Sequence, residues 1–179
     1  MNRTSHAGFT LIELMVAVAL GIILMTMAVP SFYSTIQNNR AATRANEFLA
    51  DLYFARSEAI KQARTATICR STNGTSCTGS GSAWEAGWIV WVDSDGDGSM
   101  AASGELMRVH ETLSNATLTG KIGGADVASV QYLGSGFRAT SPSGNMLFTL
   151  TATGCKGNQT RAITIIGSGR ASVATAACA

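Results

Sequence analysis

Three groups of residues in this chain have types and spacings that could do chemistry. The first is Asp93-Ser94-Asp95-Gly96-Asp97-Gly98, whose alternate carboxylates could offer oxygen ligands to a hard cation such as Ca2+. A Ca2+ loop of this pattern closes with a bidentate Glu at its twelfth position. The twelfth residue from Asp93 is Gly104, and Glu105 comes one residue late. No helix pattern flanks the segment, and Asp and Gly are the residues of tight turns. It therefore reads as a hairpin loop with no metal expected, a weak Ca2+ site being the alternative. The second group is the four cysteines, Cys69, Cys77, Cys155 and Cys178. An even count suits disulfides in an oxidising compartment, and four cysteines allow three connectivities. Cys69–Cys77 with Cys155–Cys178 is preferred, because each pair closes a local loop. No C-x-x-C pair or nearby histidine supports zinc. The third group is a single carboxylate, Glu13, inside an otherwise apolar run. Catalysis finds no anchor. The two histidines are His6 and His110, with no Ser/His/Asp grouping and no phosphate loop, so neither an enzyme activity nor a cofactor is expected.

Glu13 says most, because of where it sits. Residues 9–29 read FTLIELMVAVALGIILMTMAV, with no other charge. At about 1.5 Å per residue a helix of this length crosses the roughly 30 Å hydrocarbon core of a bilayer. It also explains a mean hydropathy of +0.18 beside 46% hydrophobic and only 13% charged residues. The net charge of +2 names no partner. An ordinary secretory signal peptide is a poor fit. The apolar run is too long, the small residue Gly8 precedes it, and a signal peptide would carry no carboxylate there. A carboxylate within a bilayer costs a few kcal/mol on insertion scales, so an intramembrane Glu implies a function and a partner.

Gly8-Phe9-Thr10-Leu11-Ile12-Glu13-Leu14, behind a short polar leader carrying Arg3, resembles the class III signal of type IV pilins and type II secretion pseudopilins. The resemblance implies cleavage by prepilin peptidase between Gly8 and Phe9 and N-methylation of Phe9. Glu13 would then be the fifth mature residue. Its implied partner is the N-terminal amine of a neighbouring subunit, and pairing the two charges would neutralise both and set the axial register. The implied location is the bacterial inner membrane, crossed once, and then a periplasmic or extracellular filament.

The elements that position these groups follow from periodicity. In residues 31–64, Phe32, Ile36, Ala45, Phe48, Leu49, Leu52, Ala59 and Ala63 recur near i, i+3, i+4, i+7, the mark of an amphipathic helix. Residues 9–64 therefore read as one long helix with a kink near Pro30 and Gly21. Beyond it, segments 65–69, 84–92, 104–113, 127–133, 136–140, 146–152, 161–166 and 170–174 read as short strands separated by Gly, Asn and Ser clusters. His110 falls in one of them and reads as a solvent-facing polar residue. The expected class is α+β: a long N-terminal helix, transmembrane then amphipathic, packed on an antiparallel β-sheet head, as in the type IV pilin fold. The expected parts are a cleaved leader 1–8, the helix 9–64 with 9–29 in the membrane or filament core, and the head 65–179.

The head narrows the resemblance. Trp84-x-x-Gly87-Trp88-Ile89-Val90-Trp91-Val92-Asp93, the Asp95–Gly98 loop and Gly104-Glu105-x-x-Arg108 are similar to the GspH/FimT/FimU group of minor pilins and minor pseudopilins. That implies a low-abundance subunit that primes assembly or sits near the filament tip, with other pilins, prepilin peptidase and the inner membrane as partners. From Gly120 onward five bases, Lys121, Arg138, Lys156, Arg161 and Arg170, face Asp126 as the sole acid, and such a region could touch phosphates. FimT-type members are associated with DNA uptake through a C-terminal Gly-Arg-x-Arg. Here Gly169-Arg170-Ala171-Ser172 keeps the first Arg and loses the second. The favoured function is a minor pilin of a type IV pilus supporting pilus biogenesis, motility and adhesion. The alternatives are a DNA-binding minor pilin, with Arg161, Gly169 and Arg170 as candidate contacts, and a minor pseudopilin of a type II secretion system.

Overall fold

The computed structural model of the chain describes residues 9–100, 104–139 and 143–178, with the side chains of 27–31 left aside. Gly8 and the rest of the leader lie outside the described residues. Among the described residues, one helix, α1 (Leu11–Gln62), continues through Gly21 and Pro30, and nine strands follow it. The chain forms two compact units, residues up to Ile36 and Gln37–Ala179.

The first unit is the early part of α1. Leu11, Ile12, Leu14, Met15, Val16 and Val18 are all exposed, so the apolar surface goes all round the helix. A helix of this kind needs lipid or other protein around it. Among the described residues, no helix is long and apolar enough to cross a membrane; the span expected from sequence over residues 9–29 runs into positions 27–29, whose side chains lie outside them.

The second unit is a helix-on-sheet head. From α1 it buries Ala41, Ala45, Phe48, Leu52, Ala55 and Ala59, spaced alternately by four and three residues so that they share one face. The small alanines let the helix lie close to the sheets. Phe32 and Ile36, read from sequence as part of this stripe, are exposed and belong to the first unit, and Ala63 is exposed as well. The helix ends two residues before the expected Arg64. Ala63 turns left-handed at φ 52°, and the Arg64 N–H donates to the Ala59 carbonyl, closing the end as a Schellman-type cap.

Two antiparallel sheets receive this face. The four-stranded sheet runs β3 (Leu106–His110), β2 (Trp88–Val92), β1 (Ala66–Arg70), β6 (Ser129–Tyr132). The five-stranded sheet runs β5 (Ala125–Asp126), β4 (Ala116–Ile122), β7 (Met146–Ala152), β8 (Thr160–Ile165), β9 (Ala171–Ala176). Of the expected strand at 136–140, the described residues 136–139 form one bridge, Tyr132 to Arg138, because residues 133–136 are spent on a tight turn, and residue 140 lies outside the described residues. β4 and β5 were not expected. β4 alternates buried Ala116, Leu118, Gly120 and Ile122 with more exposed residues, but Gly120 interrupts the apolar signal.

Phe48 is the centre of the core. Its ring lies 4.9 Å from Phe148 of β7, 5.0 Å from Trp88 of β2 and 5.5 Å from Trp84, joining helix and both sheets in edge-to-face and tilted contacts. Loss of such a residue to Ala costs about 3–5 kcal/mol. Gly120 is required by this cluster, since a Cβ there would lie 2.6 Å from the Phe148 ring and 3.1 Å from the Trp84 Nε1.

Candidate functional site

At the N-terminus of α1, Thr10 is the helix cap. Its Oγ1 accepts from the Glu13 N–H at 3.3 Å, and its own N–H donates to Glu13 Oε2 at 3.4 Å. This reciprocal pair is a capping box, which satisfies two orphan donors and holds a carboxylate beside the positive end of the helix. From sequence, Glu13 reads as an intramembrane charge with a partner in the filament. The Thr-x-x-Glu spacing at the head of an apolar run was the signal for this second role. Phe9 and Glu13 are both exposed.

On the head, α1 meets β2 and β3 through a polar junction. Asp51 is only 4% exposed, and its carboxylate accepts from Trp88 Nε1 at 2.8 Å and Arg108 Nη1 at 2.6 Å. The Arg108 guanidinium also lies 4.1 Å over the Phe54 ring. His110 stacks on Trp88 at 3.9 Å, with Nε2 3.6 Å from Glu47. It is therefore a packed residue of the helix–sheet contact, not the solvent-facing polar residue expected. Its neighbour Glu47 lies far away in sequence, which is why the strand pattern could not reveal the contact.

The disulfides are Cys69–Cys77 and Cys155–Cys178, with Cα–Cα distances of 5.6 and 5.8 Å. The first ties β1 to the following loop, and the second ties the chain's end to the β7–β8 turn.

In the acidic loop, Asp93, Asp95 and Asp97 bring carboxylate oxygens within 4.8 Å of one another. The loop's own amides occupy them. Asp93 accepts from Gly96 N at 2.7 Å and Gly98 N at 3.2 Å, and Asp97 accepts from Ser99 N at 2.7 Å. The Ser99 amide and hydroxyl bonds hold the Asp97 carboxyl below the usual range. Glu105 is fully buried and takes both the N–H and the Oγ of Ser94 at 3.0 Å. The three aspartates act as turn acceptors.

The C-terminal bases are less of a surface than their sequence suggests. Arg161 is 6% exposed, and its Nη2 donates to Asn38 Oδ1 at 2.6 Å, fastening β8 to α1. Arg161 therefore serves the packing of β8 on α1. Arg138 is buried and donates to the Gly144 carbonyl at 2.6 Å, and Lys121 pairs with Asp126 at 2.9 Å. Lys156 and Arg170 remain exposed. Gly169 has φ +80°, and a Cβ there would collide with the Gly136 carbonyl. Arg56 of α1 bridges the same two turns, donating to Gly136 O at 2.8 Å and Ser168 O at 3.1 Å. Gly169 is thus demanded by packing, and of the three candidate contacts only Arg170 is presented to solvent.

Comparison with known proteins agrees with this architecture. Residues 44–169 match the family described as type II transport protein GspH, and residues 3–29 match the prokaryotic N-terminal methylation motif. Two crystal forms of the type IV minor pilin FimU of Pseudomonas aeruginosa align at TM-scores of 0.57 and 0.54. Both are 24% identical and cover 76% and 74% of this chain and 89% and 91% of theirs. The minor pseudopilin EpsH of the Vibrio cholerae type 2 secretion system aligns at 0.49, with 14% identity over 76% of this chain and 97% of that one. No curated protein matches the sequence.

Proposed function

The chain belongs to the GspH family of minor pilins and pseudopilins, and from that premise we propose that it is a minor subunit of a type IV pilus. Prepilin peptidase cleaves it between Gly8 and Phe9, and Phe9 is then N-methylated. The subunit waits in the inner membrane on its N-terminal helix and enters the filament near the tip, where it primes assembly. One observation carries the reading: a helix apolar on every side with one carboxylate, Glu13, at its start. Lipid before assembly and neighbouring helices afterwards supply the apolar surroundings, and a neighbour's N-terminal amine supplies the counter-charge. Pilus biogenesis, motility and adhesion follow from that role. The DNA-uptake alternative rests on Arg170 and Lys156, two exposed cations, which is little for phosphate binding.

The test is fractionation. Filaments sheared from cells and probed by mass spectrometry should contain this chain with a methylated Phe9 at its N-terminus. A chain found with an unprocessed leader would contradict the processing. A chain required for protein secretion and absent from sheared pili would favour the pseudopilus. Salt-sensitive DNA binding lost on Arg170→Ala would favour the DNA reading.

A further inference from the structure

The face of the four-stranded sheet turned away from α1 carries a cavity of about 320 Å³. Its floor is Thr67 of β1, Trp91 of β2 and Ser129 and Gln131 of β6. The disulfide-tied loop after β1, with Thr78, and the acidic loop after β2, with Ser99, form its walls. Among the described residues, the lining holds six hydroxyl or amide side chains and no charged one. Two floor residues carry buried polar atoms with no hydrogen-bond partner. These are Thr67 Oγ1, in a residue 2% exposed, and Trp91 Nε1, in a residue 5% exposed. The other tryptophans, Trp84 and Trp88, each have an acceptor for the indole N–H. Buried polar groups are almost always satisfied, and an orphan is a standing cost that an occupant can relieve.

We propose that this cavity binds a neutral hydroxyl- and amide-bearing sugar of the N-acetylhexosamine type. The volume suits one to two sugar rings, at the lower end of ligand pockets. The uncharged lining gives no counter-ion to an acidic or basic ligand, and its hydroxyls match ring hydroxyls. The Trp91 nitrogen is covered in the free chain, and an acetamido carbonyl supplies the acceptor it lacks once Met100, which packs on the Trp91 cluster, moves. An extended peptide fits less well, because β1 is paired on both sides, with β2 and β6, and the outer edge of β6 is already bridged by residues 138–139. Met100 packs on the Cys69, Ile89 and Trp91 cluster, and its unbranched side chain can swing aside to admit the ring.

The experiment titrates the full-length chain, in micelles of a detergent without a sugar headgroup, with N,N′-diacetylchitobiose, followed by tryptophan fluorescence and saturation-transfer NMR. Saturable binding is expected. Thr67→Val, Trp91→Phe and the exposed-site variant Gln131→Ala should each weaken it about tenfold, the loss of one hydrogen bond. Thr67→Val, close in shape to the threonine, should leave the unfolding midpoint of the free chain unchanged or raised. The proposal is overturned by absence of saturable binding, by binding that all three variants retain, or by competition from an uncharged extended peptide. A lower midpoint in Thr67→Val would show that the hydroxyl is already satisfied, and would overturn it too.

Discussion

Replacing Asp51 with alanine removes the acceptor at the centre of the helix–sheet junction. Two losses can be worked from the geometry. The Trp88 N–H, in a fully buried ring, is left without a partner, which costs about 1–3 kcal/mol. The ion pair to Arg108 also goes, but that side chain is 43% exposed, so screening limits this part to about 0.5–1 kcal/mol. The sum is about 1.5–4 kcal/mol, a large fraction of a small domain's stability. Asp51→Asn keeps an oxygen for the indole and loses mainly the charge, so it should cost about 1 kcal/mol. Urea unfolding of the full chain in micelles, read by the fluorescence of the tryptophans, measures both. The indole bond is the difference between the variants. If Ala and Asn fall within about 0.5 kcal/mol of each other, that bond contributes nothing and the account of this buried acid is wrong.

Three further outcomes test other parts of the head. Burial raises the Tyr132 phenol above its ordinary value of 10.0, and its hydroxyl has no partner. A raised folded value means stability that is full below about pH 10 and lost as pH rises above it, by up to about 1.4 kcal/mol per pH unit. Tyr132→Phe should remove that alkaline slope without loss at neutral pH, and an unchanged slope would refute the assignment. Ala63→Gly should stabilise by about 0.5–1 kcal/mol, because a left-handed cap residue needs no Cβ; destabilisation would mean that the cap strain is negligible. The disulfides close loops with sequence separations of 8 and 23, worth about 2.5 and about 3.4 kcal/mol by chain entropy. Removing the Cys155–Cys178 pair should therefore lower the urea midpoint more than removing Cys69–Cys77, and the reverse order would contradict the chain-entropy argument.

Much of the architecture was legible because it is local. The alternating three- and four-residue spacing around Phe48 announces the buried helix face, and the run of β-branched and aromatic residues at 88–92 announces β2. What escaped depends on distant partners. Gly120 looks like a break in β4 until Phe148 and Trp84 are seen against it. His110 looks like surface until α1 brings Glu47 to it. Arg161 looks like a free cation until Asn38, on the other side of the chain, takes its guanidinium. Gly169-Arg170 is read as a motif in sequence, while in space the glycine answers to the Gly136 carbonyl. At the N-terminus the membrane pattern masked a capping box, because both are written in the same few residues.

The role proposed for Glu13 is to drive incorporation into a filament. Filaments sheared from cells making the wild-type chain or Glu13→Ala should be compared by quantitative immunoblot, alongside the membrane fraction. A processed, membrane-bound variant is expected whose recovery in filaments falls about tenfold or more, since an unpaired amine in an apolar bundle costs a few kcal/mol. Normal recovery of Glu13→Ala in the filament fraction would contradict it.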